Sequence, residues 1–273
     1  MVAMDISPLP QGFGALITGF DLQSGAGEAQ VSALQDAYDT HHLLVFHGDA
    51  PIAPERHVEI ASWFGPVGAN RDAEGRPWTV LDNEQEVGAA VLPFHCDITY
   101  MEHPFAGLSL HPVAMPTGGS STTFVSNGVG WDHLADDLKA LLHDRRVLHK
   151  FHDHAMVEAD WPELAQWHPA RLVHAKTGRE MLFVTENHVR EIEGLSEAES
   201  APHLTRVFAT QYAPERQYEH YWQAGDLLVW NNVAIQHART RPAAPSAGRR
   251  IIQRVAMGTH GFGEQIAAVM AAA

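Results

Sequence analysis

Apolar positions recur every three or four residues in several segments of the chain, and this spacing predicts amphipathic helices. In the first of these segments the apolar side chains include Val31, Leu34 and Tyr38. The second opens at Pro54 and ends at Gly65, which are typical start and stop signals of a helix. Helices are predicted over 28–41, 54–65, 130–144 and 196–210.

The other apolar runs are short, rich in Val, Leu, Ile and aromatic residues, and bounded by Gly, Pro or Asn, a pattern typical of strands. Strands are predicted within 14–22, 42–48, 77–83, 107–115, 122–127, 171–176, 180–185, 226–232 and 250–258. Many short strands with a few helices favour a β-sandwich or barrel core wrapped by helices. The sequence has no fixed-period repeat, so a single domain over 1–273 is predicted.

Composition narrows the class of protein. With 45% hydrophobic and 19% charged residues the chain is typical of globular proteins, and no segment approaches the ~18 apolar residues of a membrane helix. No signal peptide is visible, so we expect a cytoplasmic protein without a membrane partner. The net charge of −15 would repel polyanions and argues against nucleic acid as a partner. Because Cys96 is the only cysteine, a metal site would have to use histidine and carboxylate ligands.

The stretch FHCDITY, residues 94–100, reads as a strand that contains a histidine and an aspartate. Residues i and i+2 of a strand point to the same face, so His95 and Asp97 would project side by side while Cys96 points away. The chain has 19 histidines, which makes any single one weak evidence for a site. A structural hydrogen bond between His95 and Asp97 is the alternative, and a larger constellation is needed to decide.

A third candidate ligand lies near the end of the chain. The stretch DLLVWNNVAIQHART begins as an apolar strand, passes two asparagines and reaches His237. Two imidazoles and one carboxylate are the ligand set that holds non-haem Fe(II) on one face and leaves the other positions open. His95, Asp97 and His237 therefore form a candidate iron site.

Two arginines follow in the last strand, GRRIIQRVAMG. Alternation places Arg250 and Arg254 on one face, among mainly apolar residues. A guanidinium that points into a barrel needs an anionic partner, and a carboxylate matches it in bidentate geometry. This pattern predicts an acidic ligand, against the alternatives of a surface position for Arg250 and a structural ion pair for Arg254.

These motifs occur together with others in a fixed order. GALITGFDL, HHLLVFHG and ASWFG precede the FHCD motif; GGSSTTFVSN, WHPARLVHAKTGREMLFVTEN, WQAGDLLVWNNVAIQHARTR and RRIIQRV follow it. Over nearly its whole length the chain resembles the taurine/2,4-D dioxygenase branch of the Fe(II)/2-oxoglutarate-dependent oxygenases. The resemblance implies an α+β, mainly β fold, a double-stranded β-helix (jelly roll) core flanked by helices.

The resemblance also implies roles for individual residues. It implies Fe(II) held by His95, Asp97 and His237, with 2-oxoglutarate and O2 as cosubstrates. It assigns Arg250 and the Thr122 hydroxyl to the distal carboxylate of 2-oxoglutarate. Arg254 is similar to the family position that meets an anionic substrate group or the keto-acid end of the cosubstrate. Because Asp97 is a carboxylate and leaves no room for halide, hydroxylation is expected rather than halogenation, with release of succinate and CO2.

Departures from the family pattern bear on the substrate. The loop GGSST has one extra residue, which leaves Thr123 as an alternative to Thr122. Asn70 stands where taurine-type enzymes carry a histidine, so a small carboxylic acid or amino-acid derivative is expected rather than taurine. The Gly-rich, polar segment 68–92 is predicted to be a mobile lid. The oligomeric state stays open, and the rival functions are a non-catalytic jelly-roll binding protein and a zinc hydrolase.

Overall fold

Strands dominate the computed structural model, which describes residues 4–84, 91–115, 120–151, 163–241 and 248–272. Its helices are α1 Glu28–His41, α2 Pro54–Ser62, α3 Asn127–His133, α4 Asp136–Leu142, α5 Glu197–Gln211 and α6 Phe262–Ala272. Its strands are β1 Asp5–Pro8, β2 Ala15–Thr18, β3 Leu43–Phe46, β4 Thr79–Asp82, β5 Leu92–His95, β6 Gly107–Ala114, β7 Ser121–Ser126, β8 Arg146–Lys150, β9 Ala165–Pro169, β10 Arg171–Val173, β11 Glu180–Leu182, β12 Val189–Ile192, β13 Tyr218–Tyr221, β14 Leu227–Asn231, β15 Ile235–Arg239 and β16 Ile251–Met257.

Two sheets form the core of the fold. The large sheet has the strand order β1-β2-β3-β14-β6-β16-β4, and the small sheet has the order β13-β7-β15-β5. Both are antiparallel except for the β2–β3 pair, which is parallel. Two smaller sheets, β12-β8-β9 and β10-β11, lie outside this pair. The predicted α+β, mainly β fold with a double-stranded β-helix core is confirmed.

Alternation along β14 shows how the sequence builds the two faces of the large sheet. Leu228 and Trp230 belong to the inner hydrophobic cluster, whereas Leu227 and Val229 belong to the cluster on the opposite face. Trp230 is fully buried, with ring centroids 5.4 Å from Phe124 of the small sheet. The inner cluster therefore joins the two sheets, while the outer face packs on helices.

The helices cover the outer surfaces of the sheets. α1 buries Leu34, Ala37 and Tyr38, the positions that its apolar spacing indicates, in the cluster on the outer face of the large sheet. α5 begins with a capping box in which Ser196 and Glu199 satisfy each other's backbone amides. The described helices include none that is long and apolar enough to cross a membrane.

Two predictions about secondary structure were wrong in part. The segment 130–144 is not one helix, because the backbone is extended at Leu134 and the Leu134 side chain is buried in the hydrophobic cluster beside α3 and α4. The mobile lid predicted over 68–92 is interrupted by β4, which lies within the strand predicted over 77–83 and pairs with β16. Residues 85–90 of the predicted lid lie outside the described residues.

A close backbone approach precedes β14 and gives a test of the fold. Gly225 has φ +90, and a Cβ there would lie 2.3 Å from the carbonyl oxygen of Gly48. We expect Gly225→Ala to lower the free energy of unfolding by about 2 kcal/mol or more, because the left-handed backbone and the contact are both unfavourable. Urea denaturation measures the change. Gly25→Ala is the control, because nothing lies within 4 Å of its Cβ position, and equal stability of the two variants would contradict the packing described.

Candidate active site

Three predicted ligands come together between the two sheets. His95 ends β5, His237 lies opposite it in β15, and Asp97 follows β5. The Nε2 atoms of His95 and His237 lie 3.3 Å and 3.5 Å from Asp97 Oδ1. Each of the three residues offers one ligand atom, and these atoms all lie within 4.8 Å of one another. In the described part of the chain this is the group of His, Cys, Asp or Glu residues that meets this distance with three members. The arrangement suits a single metal ion.

The reason that His95 and Asp97 meet differs from the prediction. The strand ends at His95, and residues 97–100 form a turn in which Ile98 has φ 52. The Asn232 side chain fixes this turn: its Oδ1 accepts a hydrogen bond from Asp97 N at 2.8 Å, and its Nδ2 donates to Asp97 O at 3.1 Å. A positive φ is unfavourable for a β-branched residue, so the turn is held by tertiary contacts rather than by local preference.

Hydrogen bonds orient His95, and burial and neighbouring charges shift the pKa values of Asp97 and His237. His95 Nδ1 lies 2.8 Å from Pro93 O and donates to it, which leaves the Nε2 lone pair for a ligand. Burial raises the pKa of Asp97, but the His95 hydrogen bond and the Arg254 charge outweigh it and hold that pKa well below its usual range. Burial and the neighbouring His95 lower the pKa of His237 to about 3. Asp97 is therefore held as a carboxylate and His237 as a neutral imidazole, and these are the forms that bind metal.

Arg254 contacts the carboxylate directly. Its Nη1 lies 2.9 Å from Asp97 Oδ2, the oxygen that does not face the imidazoles, and its Nε donates to Thr79 Oγ1 at 3.2 Å. This contact leaves Asp97 Oδ1 for a metal. Arg254, predicted to meet an anionic group, thus already has an anionic neighbour within the protein.

An inner chamber of about 160 Å³ lies on one side of the three candidate ligands. Arg250 lines it and is 3% exposed, with Nε and Nη1 lacking a hydrogen-bond partner among the described residues. Burial, with the charge of Arg239 as the smaller cause, lowers the pKa of Arg250 to about 10. Thr122 also lines the chamber; its Oγ1 accepts a hydrogen bond from Trp222 Nε1 at 2.9 Å and keeps its own hydrogen to donate. These donors match a carboxylate.

The alternative threonine faces a different neighbour. Thr123 Oγ1 lies 3.2 Å from Thr240 Oγ1, and Thr123 is not part of the chamber wall. This geometry favours Thr122 as the donor. The two glycines of the predicted loop, residues 118 and 119, lie outside the described residues.

An outer chamber of about 460 Å³ adjoins the inner chamber. The two chambers share the wall residues Leu92, His95, Asp97 and Arg254. Much of the remaining wall of the outer chamber is aromatic, from Tyr100, Phe105, Phe151 and Phe262. The predicted residue Asn70 is also in this wall, where its Oδ1 accepts a hydrogen bond from Phe262 N at 3.4 Å.

Some residues that line the two chambers were not predicted from the sequence. Arg239 lines the inner chamber two residues after His237, so strand alternation could have found it. Arg71 lines the outer chamber beside Asn70 and donates to Gly75 O at 2.6 Å, but no spacing rule indicates it. The aromatic wall comes from separate parts of the chain and has no local sequence signal.

The chain is similar to known proteins over most of its length. The sequence pattern of the family described as "Taurine catabolism dioxygenase TauD, TfdA family" matches residues 5–256. An (S)-phenoxypropionate/alpha-ketoglutarate-dioxygenase of Sphingobium herbicidovorans is 28% identical over 260 residues, which cover 87% of this chain and 90% of that protein. Pentalenolactone F synthase of Streptomyces avermitilis is 26% identical over 288 residues, which cover 93% and 94%.

A solved structure shares the fold. The crystal structure of AAD-2 in complex with Mn(II) and N-oxalylglycine superposes with a TM-score of 0.80 at 21% identity, covering 95% of this chain and 99% of that chain. At this identity the likeness bears on the fold alone.

Proposed function

Because the chain belongs to the taurine catabolism dioxygenase TauD, TfdA family of 2-oxoglutarate-dependent dioxygenases, we propose that it oxidises a C–H bond of a small organic acid held in the outer chamber. Hydroxylation is the expected outcome, with 2-oxoglutarate converted to succinate and CO2. One observation carries the proposal: a chamber lined by a buried arginine and a chamber lined by aromatic rings share His95 and Asp97 as wall residues, and His237 lies beside them in the wall of the first chamber.

The donor set of the site fits Fe(II). His95 Nε2, His237 Nε2 and Asp97 Oδ1 would hold it on one face, and the described chain brings no sulfur ligand to that cluster. When bound, iron and 2-oxoglutarate supply the oxidising power that transfers oxygen from O2 to the substrate. Arg254 fixes the orientation of the carboxylate, and the Pro93 carbonyl fixes the ring of His95.

The inner chamber fits 2-oxoglutarate. Arg250 offers two unsatisfied N–H groups from a buried position, and leaving such donors without an acceptor costs free energy. A distal carboxylate would accept from Arg250 and from the Thr122 hydroxyl, and this contact would turn the keto-acid end toward the metal ligands. The protein thereby orients the cosubstrate before any oxidation takes place.

The outer chamber fits an organic acid with an apolar body. Its aromatic wall would exclude water from the reacting carbon, and its polar wall offers Asn70, Arg71 and Arg254 to an anion. The similar enzyme of Sphingobium herbicidovorans is named for (S)-phenoxypropionate, which is an organic acid with an aromatic body. Arg254 already donates a hydrogen bond to Asp97. We therefore propose that Arg71 and Asn70 supply further contacts to the substrate's anionic group.

Substrate-dependent formation of succinate tests the proposal. Carboxylic acids with aryl or alkyl bodies, amino-acid derivatives and sulfonates are screened with Fe(II), 2-oxoglutarate and O2, each beside its neutral amide or ester. We expect an apolar carboxylate to give succinate and oxidised product in equal amounts. Its neutral counterpart should have a kcat/KM lower by at least about tenfold, the scale of one lost charge-assisted hydrogen bond.

Other outcomes identify the rival functions. Turnover with Zn(II) that yields a hydrolysis product and consumes no O2 would indicate a hydrolase. Tight metal and 2-oxoglutarate binding with no oxidised product from any acid would indicate a binding protein. A neutral substrate that reacts best would remove the organic-acid assignment and leave the oxygenase assignment intact.

A further inference from the structure

We propose that helix α6 sets the size of the substrate body that the outer chamber accepts. This inference rests on the proposed function and names the part of the chamber wall that selects among its acids. Phe262 and Gly263, the first two residues of α6, line the outer chamber. Neither belongs to the metal cluster or lines the inner chamber, so a change in this wall would alter the substrate space without touching the metal or the oxo acid.

Gly263 leaves open space in this wall. Among the described residues, no heavy atom other than those of its chain neighbours and its own helix backbone lies within 4 Å of the position that a Cβ atom would take there. Its φ is not positive, so the backbone does not require glycine. A larger side chain at Gly263 would therefore fit without strain of its own and would reduce the room that a ligand has.

Phe262 gives the same wall an aromatic face. Its ring centroid lies 6.4 Å from that of Tyr100, with an angle of 85° between the rings, which is an edge-to-face contact. The Tyr100 ring in turn lies 4.7 Å from the Phe151 ring. All three rings line the outer chamber. A shift of α6 would therefore change the width of the space between Phe262 and the other two rings.

Gln265 holds α6 in its position. It is the buried residue of the helix, and its side-chain amide pairs with the backbone of His103. Its Oε1 accepts a hydrogen bond from His103 N at 3.0 Å, and its Nε2 donates to His103 O at 3.0 Å. The helix also packs Phe262, Ile266 and Val269 against the inner hydrophobic cluster, but these side chains are only partly buried. Such an element opens locally at a lower free energy than core strands do, so Gln265 acts as a positioning residue for the wall.

Calorimetry with two acids of different size tests the role of Gly263, using the Mn(II)-loaded protein with N-oxalylglycine in place of the keto acid. The smaller acid is (S)-phenoxypropionate, and the larger is its 2-naphthyloxy analogue. We expect Gly263→Leu to weaken binding of the larger acid by at least about tenfold, the scale of a steric overlap in a packed site, and to change the Kd of the smaller by less than about twofold. Gly263→Ala should have a smaller effect in the same direction. Glu264→Gln is the matched control, because Glu264 is exposed in the same turn and is not a wall residue.

Gln265→Leu tests the clamp. The substitution keeps the approximate size of the side chain and removes both hydrogen bonds to His103. The amide hydrogens of α6 should then exchange at least about tenfold faster, while those of β14 are unchanged. The looser wall should also bring the Kd values of the two acids closer together. Hydrogen exchange followed by mass spectrometry measures the first effect, and the same calorimetry measures the second.

The possible results separate control of substrate size from a purely structural role. Equal weakening of both acids by Gly263→Leu, or no weakening of either, would overturn the inference. If the leucine variant does not fold, Gly263→Ala decides: a ratio of the two Kd values equal to that of the parent protein would overturn it.

The clamp variant decides the remaining cases. Equal hydrogen exchange of α6 in Gln265→Leu and in the parent protein would overturn the inference without any ligand. If the parent binds only the smaller acid, no gain of binding of the larger acid in Gln265→Leu would also overturn it. Failure of the parent protein to bind either acid would instead count against the proposed function.

Discussion

Asp97→Ala is expected to abolish the weak visible absorption that Fe(II) and 2-oxoglutarate give together without oxygen. The substitution removes one ligand oxygen and leaves Arg254 without the carboxylate that lies 2.9 Å from it. We expect metal affinity to fall by more than about 100-fold, the upper range for residues that only support a ligand. Anaerobic titration followed by absorption spectroscopy measures the loss, and His237→Ala should behave in the same way.

The control for this experiment is His103→Ala. The His103 side chain is 47% exposed and lies outside both chambers, so its removal should leave the absorption unchanged. An Asp97→Ala protein that binds iron and forms the band as well as the parent would show that the ligand assignment is wrong. Urea denaturation of each variant separates loss of the metal site from loss of the fold.

Arg250→Ala is expected to weaken 2-oxoglutarate binding by roughly 2–4 kcal/mol, the cost of removing one partner of a buried charged hydrogen bond. This corresponds to about 30-fold to 1,000-fold in Kd. Binding of Mn(II) alone should be nearly unchanged, because Arg250 does not belong to the ligand cluster. Calorimetric titration of the metal-free protein with Mn(II), and then of the Mn(II)-loaded protein with 2-oxoglutarate, measures the two affinities.

Arg206→Ala is the control for Arg250→Ala. Arg206 is a surface residue of α5 that pairs with Asp137 at 2.7 Å, and its loss should not alter the Kd. An unchanged Kd in Arg250→Ala would move the carboxylate subsite to other arginines of the chamber, Arg239 or Arg254. The same titration in those variants would then locate it.

The parts of the site that lie in regular strands could be predicted from the sequence. β16 pairs with strands on both sides and Arg250 immediately precedes it, so alternation carried back by one residue places Arg250 and Arg254 in one chamber. The same rule fails in FHCDITY, because the strand ends and the Asn232 side chain, 135 residues away, determines the turn at Asp97. His95 and Asp97 lie side by side as predicted, but the cause is the tertiary contact between Asn232 and Asp97 and not the spacing of two residues along a strand.

The outer chamber shows where sequence reasoning stops. Its aromatic wall is assembled from residues such as Tyr100, Phe151 and Phe262, which are far apart in the chain and follow no common period. Their convergence depends on how α6 and the loops pack on the sheets, which is a tertiary effect. The roles of the individual site residues and the single domain over 1–273 stay predictions.

The order of strands in the large sheet ties the assembly of the active site to the completion of the chain during synthesis. β14 lies between β3 and β6 and pairs with both of them. Before β14 is synthesised, both strands expose an unpaired edge, and closure then requires slow pairing between distant parts of the chain. His237 and Arg250 follow β14 in the sequence, so a nascent chain acquires its third metal ligand only as the sheet closes. An incomplete chain that ends before β15 therefore lacks His237, the third residue of the candidate metal site.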